Sequence, residues 1–207
     1  MRLVLASNNA KKLSELRTLF APLPIQLVAQ GTLGVAEADE PHGTFIENAL
    51  TKARHAAAAS GCASIADDSG LCVDALGGAP GVASAHFAHV TLPPSDREAQ
   101  RRVQDEANNR LLLERLATQL DRHARFVSTL VAMRSADDPE PLIGFGRWEG
   151  EVLTAPRGTG GFGYDPLVFI RELGATVAEL RPGVKNLHSH RARAAQQMLA
   201  LMREVWR

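Results

Sequence analysis

The sequence predicts an α/β fold with a mixed central β-sheet flanked by helices. Short apolar runs suited to strands alternate with stretches whose apolar residues recur every three or four positions, and the two kinds intermix along the whole chain. No internal repeat, low-complexity tract or long linker divides it. At 207 residues and 45% hydrophobic content it suits a single domain, residues 1–207, or two lobes around a shared sheet.

The first element follows from Leu3-Val4-Leu5-Ala6, a continuous apolar run that fits a strand buried on both faces. Ser7-Asn8-Asn9 can cap the next helix, which should start near Ala10, because Leu13, Leu16 and Phe20 keep helical spacing until Pro22 and Pro24 stop it. A second short apolar stretch, Ile25 to Ala29, leads to an acidic loop with Glu37, Asp39 and Glu40. Thr44-Phe45-Ile46-Glu47 matches a capping box, which predicts an alanine-rich helix from Phe45 to Ser60.

Ser64-Ile65-Ala66 reads as a short strand that delivers Asp67-Asp68-Ser69-Gly70 to its end, and Gly77-Gly78-Ala79-Pro80-Gly81 as a tight loop. Ser95 to Leu120 is charge-rich and reads as one long or broken helix with a solvated face and no evident chemistry. Phe126 to Met133 and Leu142 to Leu153 are strand-like and flank a hairpin connection, Asp137-Asp138-Pro139-Glu140-Pro141. Tyr164 to Ile170 is a further strand, and Arg191 to Trp206 a closing helix with Ala194, Met198, Leu201 and Val205 as its buried stripe.

Composition narrows the function. Lys+Arg and Asp+Glu both number 23, and no basic block could track a nucleic-acid backbone, so a nucleic-acid partner is not expected. Cys62 and Cys72 lack zinc or redox-dithiol spacing, and the N-terminus lacks a signal-peptide layout, which points to a reducing cytoplasm. No apolar run approaches the roughly 20 residues that cross a bilayer, so no membrane partner is expected either.

Three segments could carry chemistry. Ser7-Asn8-Asn9-Ala10-Lys11-Lys12 places backbone N–H groups, a hydroxyl, amides and ammonium groups at a helix start, where a phosphate would be welcome. Ordinary capping by Ser7 or Asn9 with solvated lysines explains the same residues equally well. Asp67 and Asp68 could take oxygen-coordinated Mg²⁺ and accept a proton from water. Alternation along an extended chain would send them to different sides, and a plain turn is the competing reading. Glu40 could add a second metal ligand, whereas Glu47 has a capping role at hand.

The third segment, Lys185-Asn186-Leu187-His188-Ser189-His190-Arg191, crowds cationic side chains just before the last helix and makes another anion site or a donor array for a base carbonyl. Each histidine taken singly is ordinary, and the spacing lacks a zinc pattern. Gly158-Thr159-Gly160-Gly161-Phe162-Gly163 formally contains GxGxxG, but a strand rather than a helix should follow, which excludes a dinucleotide site. No Gly-Lys-Ser/Thr ending exists for a Walker A loop. These glycines instead let backbone approach a flat ligand beside Phe162 and Tyr164.

Taken in order, these pieces resemble the inosine/xanthosine triphosphate pyrophosphatase family, also called Ham1-like or RdgB-like. The resemblance rests on Leu5 to Lys12, Thr44 to Ala49, Ala66-Asp67-Asp68-Ser69-Gly70-Leu71, Gly77 to Gly81, Gly160 to Pro166, and Ser189-His190-Arg191. It implies two lobes around a substrate cleft and hydrolysis of non-standard purine triphosphates (XTP, ITP, dITP) to the monophosphate and pyrophosphate, with Mg²⁺ as cofactor. It also implies a homodimer. By the resemblance the substrate-binding residues are Ser7, Asn8, Asn9, Ala10, Lys11 and Lys12 at the triphosphate, with Asn9 and Lys12 the better-placed pair. That segment departs from the family spacing by one position.

By the resemblance Asp68 falls on the family's proposed general base and metal site and Ser69 contacts substrate; Glu40, on its own acidic loop, is the further metal ligand that the residue chemistry favours. Phe162, Gly163, Tyr164 and Asp165 would line the nucleoside, while Lys185, His190 and Arg191 complete the pocket. Ala192 departs from the glycine usual after the His-Arg pair. Two alternatives stay open: a Maf-type pyrophosphatase acting on modified pyrimidine triphosphates, and a nucleotide-binding sensor without turnover.

Overall fold

A computed structural model describes residues 1–91 and 96–206. Among the described residues seven strands form one mixed sheet in the order β2-β1-β3-β4-β5-β6-β7. They are β1 (Arg2–Leu5), β2 (Gln26–Ala29), β3 (Ser64–Val73), β4 (His123–Met133), β5 (Leu142–Val152), β6 (Val168–Ile170) and β7 (Ala175–Thr176). β1 pairs in parallel with β2 and β3, whereas β5, β6 and β7 pair antiparallel. The helices are α1 (Ala10–Phe20), α2 (Phe45–Ser60), α3 (Arg97–Arg115), α4 (Pro182–His188) and α5 (His190–Val205).

The chain divides into two compact units. Unit 1 comprises Met1–Ser69, Ser128–Arg147 and Asn186–Arg207, and unit 2 comprises Gly70–Val127 and Trp148–Lys185. Unit 1 packs apolar side chains on both faces of its strands. Leu3, Leu5, Ile65 and Leu130 meet Leu16 and Phe20 of α1 and Ala194 and Met198 of α5, while Val4, Ala66, Val131 and Met133 meet Ala49, Ala53 and Ala56 of α2. Unit 2 has its own core around Leu71, Val73, Leu112, Phe126, Trp148, Leu167 and Ile170.

Helix boundaries follow local chemistry. The Asn9 side chain accepts from the backbone N–H of Lys11 and Lys12 and so caps α1, and Ser189 caps α5 by accepting from Ala192. Thr44 caps α2 through Glu47 N, but the Glu47 carboxylate accepts from the Thr44 hydroxyl at 2.6 Å instead of reaching the Thr44 backbone. The structural role expected for Glu47 therefore holds in altered form.

Two expectations are corrected. β3 does not end at Ala66: it continues to Val73, so Asp67-Asp68-Ser69-Gly70 lies in mid-strand. Turn-forming residues stay extended there because strands flank β3 on both sides and cationic partners neutralise both carboxylates. The strand expected over Tyr164 to Ile170 shrinks to Val168–Ile170. The Tyr164 carbonyl accepts from the N–H groups of Leu167 and Val168, closing a turn around Pro166. Lys185, expected just before the last helix, lies there within α4, which ends at His188 immediately ahead of α5. The start proposed for α3 at Ser95 lies outside the described residues; the helix itself is described from Arg97.

Within unit 1, α5 lies against β5 at glycines. A Cβ on Gly146 would overlap the His190 carbonyl oxygen and meet Ala194 N at 2.7 Å, both backbone atoms that cannot swing away. Gly146→Ala is expected to destabilise the protein by about 1–3 kcal/mol, read as a lowered urea midpoint at unchanged slope.

Candidate active site

The predicted residues fall into two groups, one in each unit. In unit 1, adjacent carboxylates on β3 point to opposite sides, as the alternation of an extended chain requires. Asp67 is 1% exposed and accepts from Ser128 Oγ at 2.7 Å and from Arg191 Nε and Nη2 at 3.2 and 3.1 Å. Lys12 Nζ lies 3.0 Å from Asp67 Oδ2. Burial would raise this carboxyl, but the Arg191 and Lys12 charges outweigh it and hold Asp67 well below the usual carboxylate range. Arg191 also donates to Ser69 Oγ at 3.0 Å and to Glu15. Arg191 is 1% exposed, and its guanidinium is engaged in holding Asp67, Ser69 and Glu15 in place.

Asp68 faces a different set. Lys52 Nζ donates to its Oδ1 at 2.8 Å, to Glu40 Oε2 at 3.0 Å and to the Asp67 carbonyl at 3.2 Å. Asp68 Oδ2 is buried and has no hydrogen-bond partner among the described residues. Burial pushes the Asp68 carboxyl up to about 6 against the pull of Lys52, and the nearby Glu40 carboxylate adds to the rise. Glu40 itself is shifted down: its partial burial opposes this, but the Lys52 charge, hydrogen bonding with Asp68 and Lys52 and the Lys12 charge together outweigh it. Lys52 is shifted up: burial disfavours its charge, but the two carboxylates more than compensate.

Lys52 is one residue that sequence reasoning missed. It lies in an alanine-rich helix, two turns beyond Phe45, and nothing local distinguishes it from a solvated lysine. A buried lysine position on an otherwise apolar helix face was the available signal: Ala49, Lys52, Ala53 and Ala56 share one side of α2.

At the start of α1 the hydrogen bonds are those of the capping reading. Asn9 closes the helix end, Ser7 Oγ accepts from Asn9 N at 3.1 Å, and Asn8 Oδ1 accepts from Gly31 N at 2.9 Å. Ala10 and Lys11 are exposed at the first turn. His190 and Arg191 form the first turn of α5, and Ala192, fully buried there, is an ordinary helical residue.

The second group lies in unit 2. The Asp165 carboxylate accepts from Phe162 N at 2.9 Å and from Lys185 Nζ at 2.8 Å, and the Lys185 ammonium stands 4.6 Å from the centre of the Phe162 ring. Gly161 and Gly163 have φ of 75° and 60°, a left-handed region that suits glycine, and a Cβ on Gly161 would overlap the Asp165 carboxylate. The Tyr164 hydroxyl donates to the Ser84 carbonyl at 2.9 Å, and burial together with the Asp105 charge raises this phenol.

Comparison with known proteins places these features in context. A family model described as the Ham1 family matches residues 3–201. A dITP/XTP pyrophosphatase from Methylibium petroleiphilum is 71% identical over 206 residues, covering 100% of this chain and 99% of its own. One from Leptothrix cholodnii is 69% identical at the same coverage. Among solved structures, a HAM1 protein from Coxiella burnetii aligns with a TM-score of 0.87 at 40% identity, covering 99% of this chain and 100% of its own. A nucleoside-triphosphatase, dITP/XTP pyrophosphatase, from Mycobacterium abscessus aligns with a TM-score of 0.70 at 35% identity, covering 100% of this chain and 99% of its own.

Proposed function

This chain belongs to the Ham1 family, and from that premise we propose that it hydrolyses the non-standard purine triphosphates ITP, dITP and XTP to the nucleoside monophosphate and pyrophosphate. The observation that carries the reading is Asp68: a buried carboxylate with one oxygen bound to Lys52, the other unpartnered, and Glu40 beside it.

That donor set fits Mg²⁺, which takes one or two carboxylates and fills its remaining positions with water and substrate phosphate. The metal would be held by Asp68 with Glu40. Bound there, it supplies charge neutralisation on the phosphate oxygens and polarisation of the phosphorus. Among the described residues no cluster of three or more His, Cys, Asp or Glu side chains suits a metal.

The protein's own groups do the rest. Asp68 Oδ2 orients the attacking water and takes its proton as the new bond to the α-phosphorus forms and the bond to the bridging oxygen breaks. Lys12, whose side chain is partly exposed, and the Asn9-capped start of α1 offset the charge that develops on departing pyrophosphate. Arg191 keeps Ser69 and Asp67 in position for this step. In unit 2, Phe162 offers a face for the purine, and Lys185 or a backbone N–H of residues 158–165 donates to the 6-carbonyl. Adenine, with an amino group there, leaves a donor unpaired at a cost of about 1–3 kcal/mol. We read the protein as a cytoplasmic homodimer acting on free nucleotides.

A substrate panel tests the function. Pyrophosphate release should be fastest with ITP, dITP and XTP, at least about tenfold slower with ATP, and lost when Mg²⁺ is chelated. Equal turnover of ATP and ITP, or preference for methylated pyrimidine triphosphates, would refute it.

A further inference from the structure

α3 is strongly polar, and its buried positions include Gln104 and Asn108 together with Leu112. Polar side chains in such places need hydrogen-bonding work to offset their desolvation, and here that work converges on two neighbouring segments of unit 2. Asp105 and Asn109, one helical turn apart and so on one face, take both backbone groups of Gly163. Gly163 N donates to Asp105 Oδ2 at 2.8 Å, and Asn109 Nδ2 donates to the Gly163 carbonyl at 3.0 Å.

The next stripe holds the anchor of Tyr164. Asn108 Nδ2 donates to the carbonyls of Ser84 and Ala85, both at 3.2 Å, and its Oδ1 accepts from Ala88 N at 2.8 Å. Gln104 Nε2 donates to the Ala88 carbonyl at 2.8 Å. The Ser84 carbonyl that receives Asn108 is the same one that receives the Tyr164 hydroxyl.

The segment being held is costly to order. Gly158, Gly160, Gly161 and Gly163 occur within six residues, and three of them take positive φ. Glycine loses more backbone freedom on ordering than any other residue. Gly163 sits between Phe162 and Tyr164, so fixing its two backbone groups sets where both rings lie.

We propose that Asp105 and Asn109 are positioning residues for nucleoside recognition, presetting the Phe162–Tyr164 segment before substrate arrives. The proposal rests on the assignment of Phe162 to Asp165 to the nucleoside. Preorganisation lowers the ordering cost of binding without touching the phosphate chemistry. Its loss should therefore appear in KM for the nucleotide and leave binding of pyrophosphate alone untouched.

The test compares Asp105→Ala, Asp105→Asn, Asn109→Ala and Phe162→Ala. We expect alanine at 105 or 109 to raise KM for ITP about tenfold with kcat within about twofold, the scale of one lost hydrogen bond. Inhibition by inorganic pyrophosphate stays unchanged. Amide exchange in residues 158–165 speeds up while α1 and β3 keep their protection. Asn at 105 retains an acceptor oxygen and returns KM to within roughly threefold of the parent. Should Asp105→Ala not fold, Asn109→Ala carries the same measurement. An unchanged KM in both alanine variants, or a parallel weakening of pyrophosphate inhibition, overturns the clamp. Phe162→Ala separates the two claims. If it leaves KM at the parent value the nucleoside assignment fails; if it raises KM while the alanine variants do not, only the clamp fails.

Discussion

Replacing Asp68 by Asn is expected to reduce pyrophosphate release from ITP by about 10²–10⁴-fold while leaving the fold intact. The amide matches the carboxylate in size and can still accept from Lys52, so the local packing survives. It cannot take a proton from water, and it is a weaker ligand for a hard cation. The same group predicts the pH dependence. Asp68 works ionised, and in the metal-free protein burial places its carboxyl at about 6. At subsaturating Mg²⁺, kcat/KM should therefore fall about tenfold per unit as pH drops below about 6.

The effect on stability has the opposite sense. The folded state holds this proton more tightly than the unfolded chain, so its contribution diminishes as pH rises from about 4 towards 6. Steady-state kinetics from about pH 5 to pH 8 on both proteins checks the activity prediction. Near-parental turnover in Asp68→Asn would remove this residue from the chemistry.

The largest stability effect is expected at Arg191. Its guanidinium is buried among Asp67, Glu15 and Ser69, and Arg191→Met removes the charge while keeping much of the volume. Asp67 is then left in the core with Lys12 as its remaining cation, which should lower unfolding free energy by about 3–5 kcal/mol. Urea unfolding reads this directly. Adding Asp67→Asn to Arg191→Met should recover part of the loss, because the uncompensated charge is then gone. An additive double variant would show that Arg191 stabilises by packing instead.

Asp67 also marks where acid acts. Its carboxyl is held low, so the stability it contributes is present above the ordinary carboxyl value and is lost as pH falls through the folded value.

Much of this molecule follows from local chemistry alone. The apolar run at Leu3 set a buried strand and the three- and four-residue spacing from Leu13 set α1. Thr44 with Glu47 set the start of α2, since caps and periodicity act over a few residues and need no distant partner. The separation of Asp67 from Asp68 was likewise contained in the alternation of an extended chain.

Tertiary structure decided what depended on distant neighbours. Asp67-Asp68-Ser69-Gly70 carries turn-forming residues, yet it runs as strand because sheet partners and the charges of Lys12, Lys52 and Arg191 surround it. Lys52 and Glu40 meet Asp68 only after α2 packs against β3, and the grip of Asp105 and Asn109 on Gly163 spans more than fifty residues of chain. A side chain's partners across such distances are chosen by packing, which no window of local sequence contains.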